Sequence, residues 1–239
     1  MLTLALVPVL ALHISLPPQP PRPDARRYHI ESENDDVRVA RVVLAPGERV
    51  TADAPSGSVI VYLTAGLDGR MPPADAAWQA PGTFDMENRG PARFEAIVVQ
   101  FKRTVPDAAM STTAPAGQPY APMQARAPLT AWAGYGYGRF DGTYRERVKS
   151  DMLVNGPAVT ATRVRVPGSM YLDPARVDPA PRVVVYLRGG YAWPQAMESC
   201  GYAAMRVRRG DVRVLPANTP YTLSNAGSDP GEFIVIAQR

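Results

Sequence analysis

The residue types that most often carry metal or nucleophilic chemistry are nearly absent from this sequence. Its 239 residues contain two histidines, His13 and His29, and a single cysteine, Cys200. Transition-metal sites depend on imidazole and thiolate ligands, and Ser/His/Asp or Cys/His relays need a histidine inside the folded core. We therefore expect no bound metal, no other cofactor and no histidine-based catalysis. The lone cysteine also excludes an internal disulfide framework.

The charged residues do not form a pattern typical of nucleic-acid binding. The chain carries 26 basic and 22 acidic residues, for a net charge of +4. The densest basic cluster is Arg206, Arg208 and Arg209, and Asp211 follows it directly. Such mixed charges are typical of the solvated faces of strands. We therefore expect no nucleic-acid partner.

The elements that must position any site are strands, and they occur in two copies. The 26 prolines and 19 glycines are spread among short valine-rich runs, which favours strands and turns over helices. Residues 58–66 and 182–190 repeat one such run, and the tripeptides at 88–90 and 225–227 both read Asn-x-Gly. The sequence predicts two copies of one all-β unit, residues 28–103 and 144–239, joined by an Ala/Pro/Gly-rich linker over 104–143.

The first 27 residues form a signal-like apolar segment followed by a proline-rich spacer. Residues 2–12 form a predominantly apolar run, which is too short to span a bilayer as a helix. The run resembles the apolar part of a secretory signal, and an ordinary N-terminal strand is the alternative. A cleaved signal predicts a periplasmic or secreted protein with no stable membrane span, and a retained strand predicts a cytoplasmic one.

Spaced residues in both copies resemble the motifs of the cupin superfamily. The first cupin motif places glycine, two histidines, glutamate and glycine at fixed spacings. In the first copy these spacings fall on Gly47, Asp53, Pro55, Val59 and Gly66. In the second copy the spacings of the second cupin motif fall on Gly210, Pro216, Asn218, Tyr221 and Asn225. The resemblance implies an all-β fold of two cupin domains, which are jelly-roll-like antiparallel β-barrels fused as a bicupin.

The same resemblance implies that the metal-ligand positions have lost their chemistry. In the two copies they fall on Asp53, Pro55, Val59 and Phe84, and on Pro174, Arg176, Val183 and Tyr221. One carboxylate among apolar groups cannot hold a divalent ion. Arg176 beside Tyr221 could instead clamp a carboxylate or phosphate through charge-assisted hydrogen bonds. The alternative is that Arg176 lies in a loop facing water.

We therefore expect a metal-free, non-catalytic bicupin that binds a small anionic or sugar-like molecule or serves as a structural module. The candidate ligand-binding residues are Arg176, Tyr221, Asp53, Phe84 and Asn225. One alternative is a metal-independent isomerase or epimerase with Tyr221 as acid and Asp53 as base, although Asp53 also fits a turn. Another alternative is a protein-interaction module whose barrels are filled by side chains.

Strands that are apolar on both faces predict an interface. If Val59, Val61 and Leu63 face into the first barrel, then Ile60 and Tyr62 face outwards. The corresponding run in the second copy has the same pattern and ends in Tyr186. Strands of this kind are covered on both sides. We therefore expect Tyr62 and Tyr186 to lie between the two barrels, in a homodimer interface, or beneath the linker.

Overall fold

A computed structural model describes most of both predicted copies. The described residues are 26–69, 71–102, 149–156, 159–168, 170–171, 180–192, 205–217, 224–225 and 228–238. All regular secondary structure in these ranges is β-strand, which confirms the all-β prediction. None of the described residues forms a helix that could cross a membrane. The predicted linker and the segment up to residue 25 lie outside the described ranges.

The first unit contains two antiparallel sheets. Its described strands are β1 Tyr28–Glu33, β2 Val37–Leu44, β3 Arg49–Ala54, β4 Ser58–Tyr62, β5 Ala76–Gln79, β6 Gly82–Glu87 and β7 Phe94–Phe101. Five of them form one sheet in the order β1-β2-β7-β4-β5, and β3 pairs with β6. The turn into β2 is held by Asn34, whose side-chain oxygen accepts the backbone N–H groups of Asp36 and Val37.

The second unit repeats this arrangement with one additional strand pair. Its described strands are β8 Lys149–Asn155, β9 Val159–Val166, β10 Met170–Tyr171, β11 Arg182–Tyr186, β12 Gly190–Ala192, β13 Met205–Val207, β14 Val212–Leu215, β15 Ser224–Asn225 and β16 Gly231–Gln238. The large sheet runs β14-β11-β16-β9-β8, and β10 pairs with β15. Strand by strand, this matches the first unit, and the β12–β13 pair is the addition.

The two large sheets pack on each other through one continuous apolar core. In the first unit this core contains Val59, Val61 and Leu63, and in the second it includes Val183 and Val185. All five side chains are at most 2% exposed. Val59 and Val61 therefore face the other unit, and the prediction that they line the first barrel is wrong.

Tyr62 and Tyr186 correspondingly face into their own units. Tyr62 packs on the core between the two sheets of the first unit, beside Phe94, and Tyr186 packs in the same way beside Phe233. The predicted alternation is present, but the predicted outward orientation of both tyrosines is wrong. Because both faces of β4 and β11 are apolar, hydrophobicity alone does not distinguish the inner face from the outer one.

Two arginines bridge the units reciprocally. Arg41 on β2 donates to the carbonyl of Gly210 in the second unit at 2.6 Å. Arg163, at the equivalent position of β9, donates to the carbonyl of Ala74 in the first unit at 3.3 Å. Both acceptor residues have a left-handed backbone, with φ of 66° at Ala74 and 84° at Gly210. The two bridges are thus copies of one contact related by the internal repeat.

Candidate functional site

The predicted ligand positions of the first unit do not converge on its interior. Along β3, Val50, Ala52 and Ala54 are buried, whereas the intervening residues, Asp53 among them, are exposed. The Asp53 side chain is therefore on the outer face, and its carbonyl accepts the buried Gln100 amide at 2.9 Å. Pro55 is also exposed. Strand alternation therefore turns Asp53 away from the interior, and the structure does not bring it together with Phe84.

Phe84 is the one predicted first-unit position that does face inwards. It lies opposite Ala52 in the β3–β6 pair and packs against the inner core of the first unit. Its neighbours in that core are the apolar side chains of Val50, Ala52, Ile60, Tyr62, Met86 and Phe94. No imidazole, thiolate or carboxylate belongs to this described core, so it offers no ligand set for a metal ion.

Asn225 serves the backbone rather than a ligand. It is 3% exposed, and its amide nitrogen donates to the carbonyls of Val166, Pro167 and Asp229 at 3.3, 3.1 and 2.6 Å. Asn88 makes the equivalent bonds in the first unit, to Leu44 and Ala92. The Asn225 amide therefore has a structural role, in which it ties the end of one strand to the loop before the last strand.

The predicted second-unit positions are only partly described. Pro174, Arg176 and Tyr221 lie outside the described residues. Val183 is fully buried in the core between the units, so it does not face the second interior. Within the described ranges, no three His, Cys, Asp or Glu side chains are grouped so that they could hold a metal ion.

A guanidinium on the inner face of the second unit was missed by the sequence reasoning. Arg213 on β14 is directly opposite Val184, and both Val184 and Leu215 belong to the inner core. Arg213 therefore shares the inner face with Tyr186, with which it forms a side-chain hydrogen bond. Burial raises the pKa of Tyr186, and the charge and hydrogen bond of Arg213 oppose that rise. Alternation from the apolar Leu215 was the signal that could have found Arg213.

Arg213 and Tyr186 line a cavity of about 460 Å³ where the two units meet. Its other described lining residues are Glu31, Arg41, Met205, Arg206, Val207, Asp211 and Val212. Arg41 is already engaged by Glu31 and Glu95, and Asp211 accepts the backbone N–H of Arg208 at 2.7 Å. The lining also contains Arg206, and Arg213 with its hydrogen bond to Tyr186, beside an apolar wall. Such a lining favours a small anion.

Comparisons with known proteins identify the fold. No family model matches the chain, and no curated protein matches it. AerE from Microcystis aeruginosa is 10% identical, with 89% of this chain and 97% of that chain covered and a TM-score of 0.55. A salicylate 1,2-dioxygenase from Pseudaminobacter salicylatoxidans is 11% identical over 84% and 71%, with a TM-score of 0.51.

A third similar structure is a cupin 2 conserved barrel domain protein from Leptotrichia buccalis. It is 16% identical over 87% of this chain and 86% of that chain, with a TM-score of 0.47. The structures of AerE and the dioxygenase are those of cupin-domain proteins, and their likeness shows that this chain has the cupin fold, as its motif spacing predicts. One neighbour is an enzyme by its description, and a shared fold does not carry activity with it.

Proposed function

We propose that the protein is a non-catalytic binding protein whose second unit takes a small anion while its first unit acts as a scaffold. The observation that carries this proposal is the pair of Arg213 and Tyr186 on the inner face of the second unit, at a cavity of about 460 Å³. Ligand sites of small molecules typically range from about 300 to 1,000 Å³. In the first unit, the residue at the position equivalent to Arg213 is Ala77, which is opposite Ile60.

The chemistry of the cavity favours a carboxylate or phosphate group on a small body. Arg213 is held by Tyr186 and so presents its guanidinium with little freedom to lose on binding. Among the described residues, Arg206 has no carboxylate within ion-pair distance, so it can serve as a second donor. Met205, Val207 and Val212 offer apolar contact to the rest of the ligand. An organic acid or a sugar acid or phosphate fits this combination.

The enzyme alternative lacks its proposed base. An isomerase or epimerase mechanism with Asp53 as base needs that carboxylate beside the substrate, but Asp53 is exposed on the outer face of β3. The alternative of an interaction module with filled barrels has support in the first unit, whose described interior is packed with apolar side chains. We propose that this filled unit stabilises the second one through the shared core.

A thermal-shift screen of the full chain tests the anion proposal. The probes are benzoate, citrate and glucose 6-phosphate, with glucose as the uncharged control. A ligand at a hundredfold excess over its Kd stabilises the folded state by about 2.7 kcal/mol, which corresponds to roughly 5–10 °C for a chain of this size. We expect at least one anion to raise Tm, with glucose giving no shift.

Variants of single arginines show where the anion that raises Tm binds. Arg213→Gln should remove the shift and Arg206→Gln should reduce it, whereas Arg93→Gln, an exposed arginine of the first unit, should leave it unchanged. The Arg206 and Arg93 variants make the same change of charge at exposed positions, so they are matched in their effect on folding. An unaltered shift in both Arg213→Gln and Arg206→Gln would overturn the proposed site. Absence of a shift with every anion would overturn the anion class.

A further inference from the structure

A second and larger cavity is lined by residues near the turn at Gly210. Its volume is about 710 Å³, and its described lining consists of Ala74, Leu187, Arg188, Gly189, Arg209, Asp229, Pro230 and Glu232. Tyr186, which precedes Leu187, and Asp211, two residues after Arg209, line the first cavity instead. We propose that the larger cavity is a separate binding site for a small carboxylate with a neighbouring hydrogen-bond donor, such as an α-hydroxy or α-amino acid.

Four segments of the chain line this cavity, and hydrogen bonds and close contacts connect three of them. The backbone N–H of Arg188 donates to the carbonyl of Glu232 at 3.3 Å, and that of Gly210 donates to the carbonyl of Tyr186 at 2.7 Å. A Cβ atom at Gly189 would be 3.3 Å from the carbonyl of Val207. The segments that carry Arg188 and Arg209 therefore approach at backbone distance, and their side chains share one opening.

Among the described residues at the larger cavity, Glu232 forms an ion pair, whereas the two arginines do not. Glu232 is paired with Arg165 at 2.9 Å and lies 4.0 Å from Arg163. Among the residues that the structure describes, neither Arg188 nor Arg209 has a carboxylate within ion-pair distance. Two guanidinium groups are therefore available for a ligand carboxylate. Asp229 is exposed at the same opening and can accept a hydrogen bond from a hydroxyl or ammonium group of that ligand.

The backbone at Ala74 is a second, independent observation at this cavity. Ala74 has a φ of 66°, the only positive φ of a non-glycine residue in the described ranges. The equivalent residue of the second unit is Gly210, where the same conformation carries no Cβ penalty. Strained residues of this kind concentrate at ligand sites, where the surroundings hold them in place. Here Arg163 holds the Ala74 carbonyl, so the residue forms a fixed wall of the cavity.

An NMR titration of the full chain tests this site directly. The Nε–Hε signals of Arg188 and Arg209 are assigned by their loss in Arg188→Gln and Arg209→Gln. The probes are lactate, L-serine and propionate, which share a three-carbon carboxylate but differ in the donor at the α-carbon. We expect saturable shifts of both signals with lactate and L-serine, and a Kd about tenfold weaker for propionate. In Asp229→Asn the preference over propionate should fall at least threefold, with little change in the propionate Kd itself.

The outcomes separate this site from the first cavity. Arg188→Gln/Arg209→Gln should abolish lactate and serine binding here while the signal of Arg213 still responds to the anion that binds there. Arg93→Gln is again the control for loss of a surface arginine. Absence of saturable shifts at Arg188 and Arg209, or equal Kd values for lactate and propionate, would overturn the inference. If the Arg213 signal responds to no anion, the proposed function is overturned, but the site at Arg188 and Arg209 is not.

Discussion

The two units order their strands in the same way, and each has an inward-facing tyrosine at the end of an equivalent strand, Tyr62 on β4 and Tyr186 on β11. Around these tyrosines they differ in charge. Where the first unit has Ser58 on β4 and Ala77 on β5, the equivalent strand positions of the second unit are Arg182 and Arg213. The same strand order therefore surrounds an apolar interior in the first unit and an interior with guanidinium groups in the second.

This difference shows how a duplicated fold can divide its roles. The contact between the units uses the outward faces of β4 and β11, which are valine-rich in both copies. The inner faces are therefore free to diverge without loss of that contact. In the first unit the inner face is filled by apolar side chains, and in the second it presents Arg213 beside Tyr186.

The largest effect is expected in the shared core. Ile97 and Ile234 are equivalent, fully buried residues of the core between the units. Replacing a buried isoleucine with alanine typically costs about 2–5 kcal/mol. We expect Ile97→Ala and Ile234→Ala to lower the free energy of unfolding by similar amounts within that range, measured by urea denaturation.

The same experiment tests whether the units unfold together. Because both side chains belong to one core, each variant should retain a single cooperative transition with an unchanged m-value. The control is Val98→Ala, which removes side-chain carbons from the inner core of the first unit only. Two separate transitions, with only one of them shifted in each isoleucine variant, would show that the units are independent and that the shared core adds little.

The next effect concerns the two buried asparagines. Asn88 and Asn225 each donate to two or more backbone carbonyls through one amide nitrogen. Alanine at either position leaves buried carbonyl groups without a partner, which costs about 1–3 kcal/mol for each group that stays dry. We expect Asn88→Ala and Asn225→Ala each to cost roughly 2–4 kcal/mol by thermal and chemical denaturation. A loss below 1 kcal/mol at Asn225, with the full loss at Asn88, would revive a ligand role for Asn225.

Much of the fold could be predicted from the repeat, because equivalent residues keep equivalent places. The runs that end in Tyr62 and Tyr186 form matching strands, and Asn88 and Asn225 make matching bonds. Turn residues were also informative. Gly210, which begins the second motif, has the positive φ that favours glycine. Its structural equivalent in the first unit is Ala74, which keeps the positive φ without being a glycine.

The site could not be predicted as well, for two physical reasons. First, motif spacing gives the number of residues between Gly47 and Asp53, but it does not show which face of β3 a side chain is on. Strand alternation places Asp53 on the outer face. In addition, apolar side chains occupy both faces of β4 and β11, so hydrophobicity does not show which face meets the other unit. Arg213 could have been predicted, because it lies two residues before the apolar Leu215 and strand alternation puts both on the same face.

A smaller loss of stability is expected when Gly210 is replaced by alanine. Its φ is 84°, and an added Cβ would approach Arg41 Nη1 to 2.8 Å and Leu63 Cδ1 to 2.9 Å. Gly210→Ala should therefore cost about 1–3 kcal/mol through backbone strain and displacement of the Arg41 bridge. The matched control is Gly47→Ala, which has a φ of 78° and no atom within 4 Å of the added Cβ. Equal losses in the two variants would mean that the bridge contributes nothing to stability.

The smallest effect, and the only stabilising one, is expected at Ala74. Glycine removes the penalty of a left-handed alanine, about 1–2 kcal/mol, but adds roughly 0.4–1 kcal/mol of backbone entropy to the unfolded chain. Ala74→Gly should therefore raise the free energy of unfolding by about 0.5 kcal/mol in urea denaturation. Ala76→Gly, two residues later in β5, has no such strain to relieve and should lower it. If both variants lose stability equally, Ala74 is not strained, and the second unit's glycine is no better suited to this turn than the first unit's alanine.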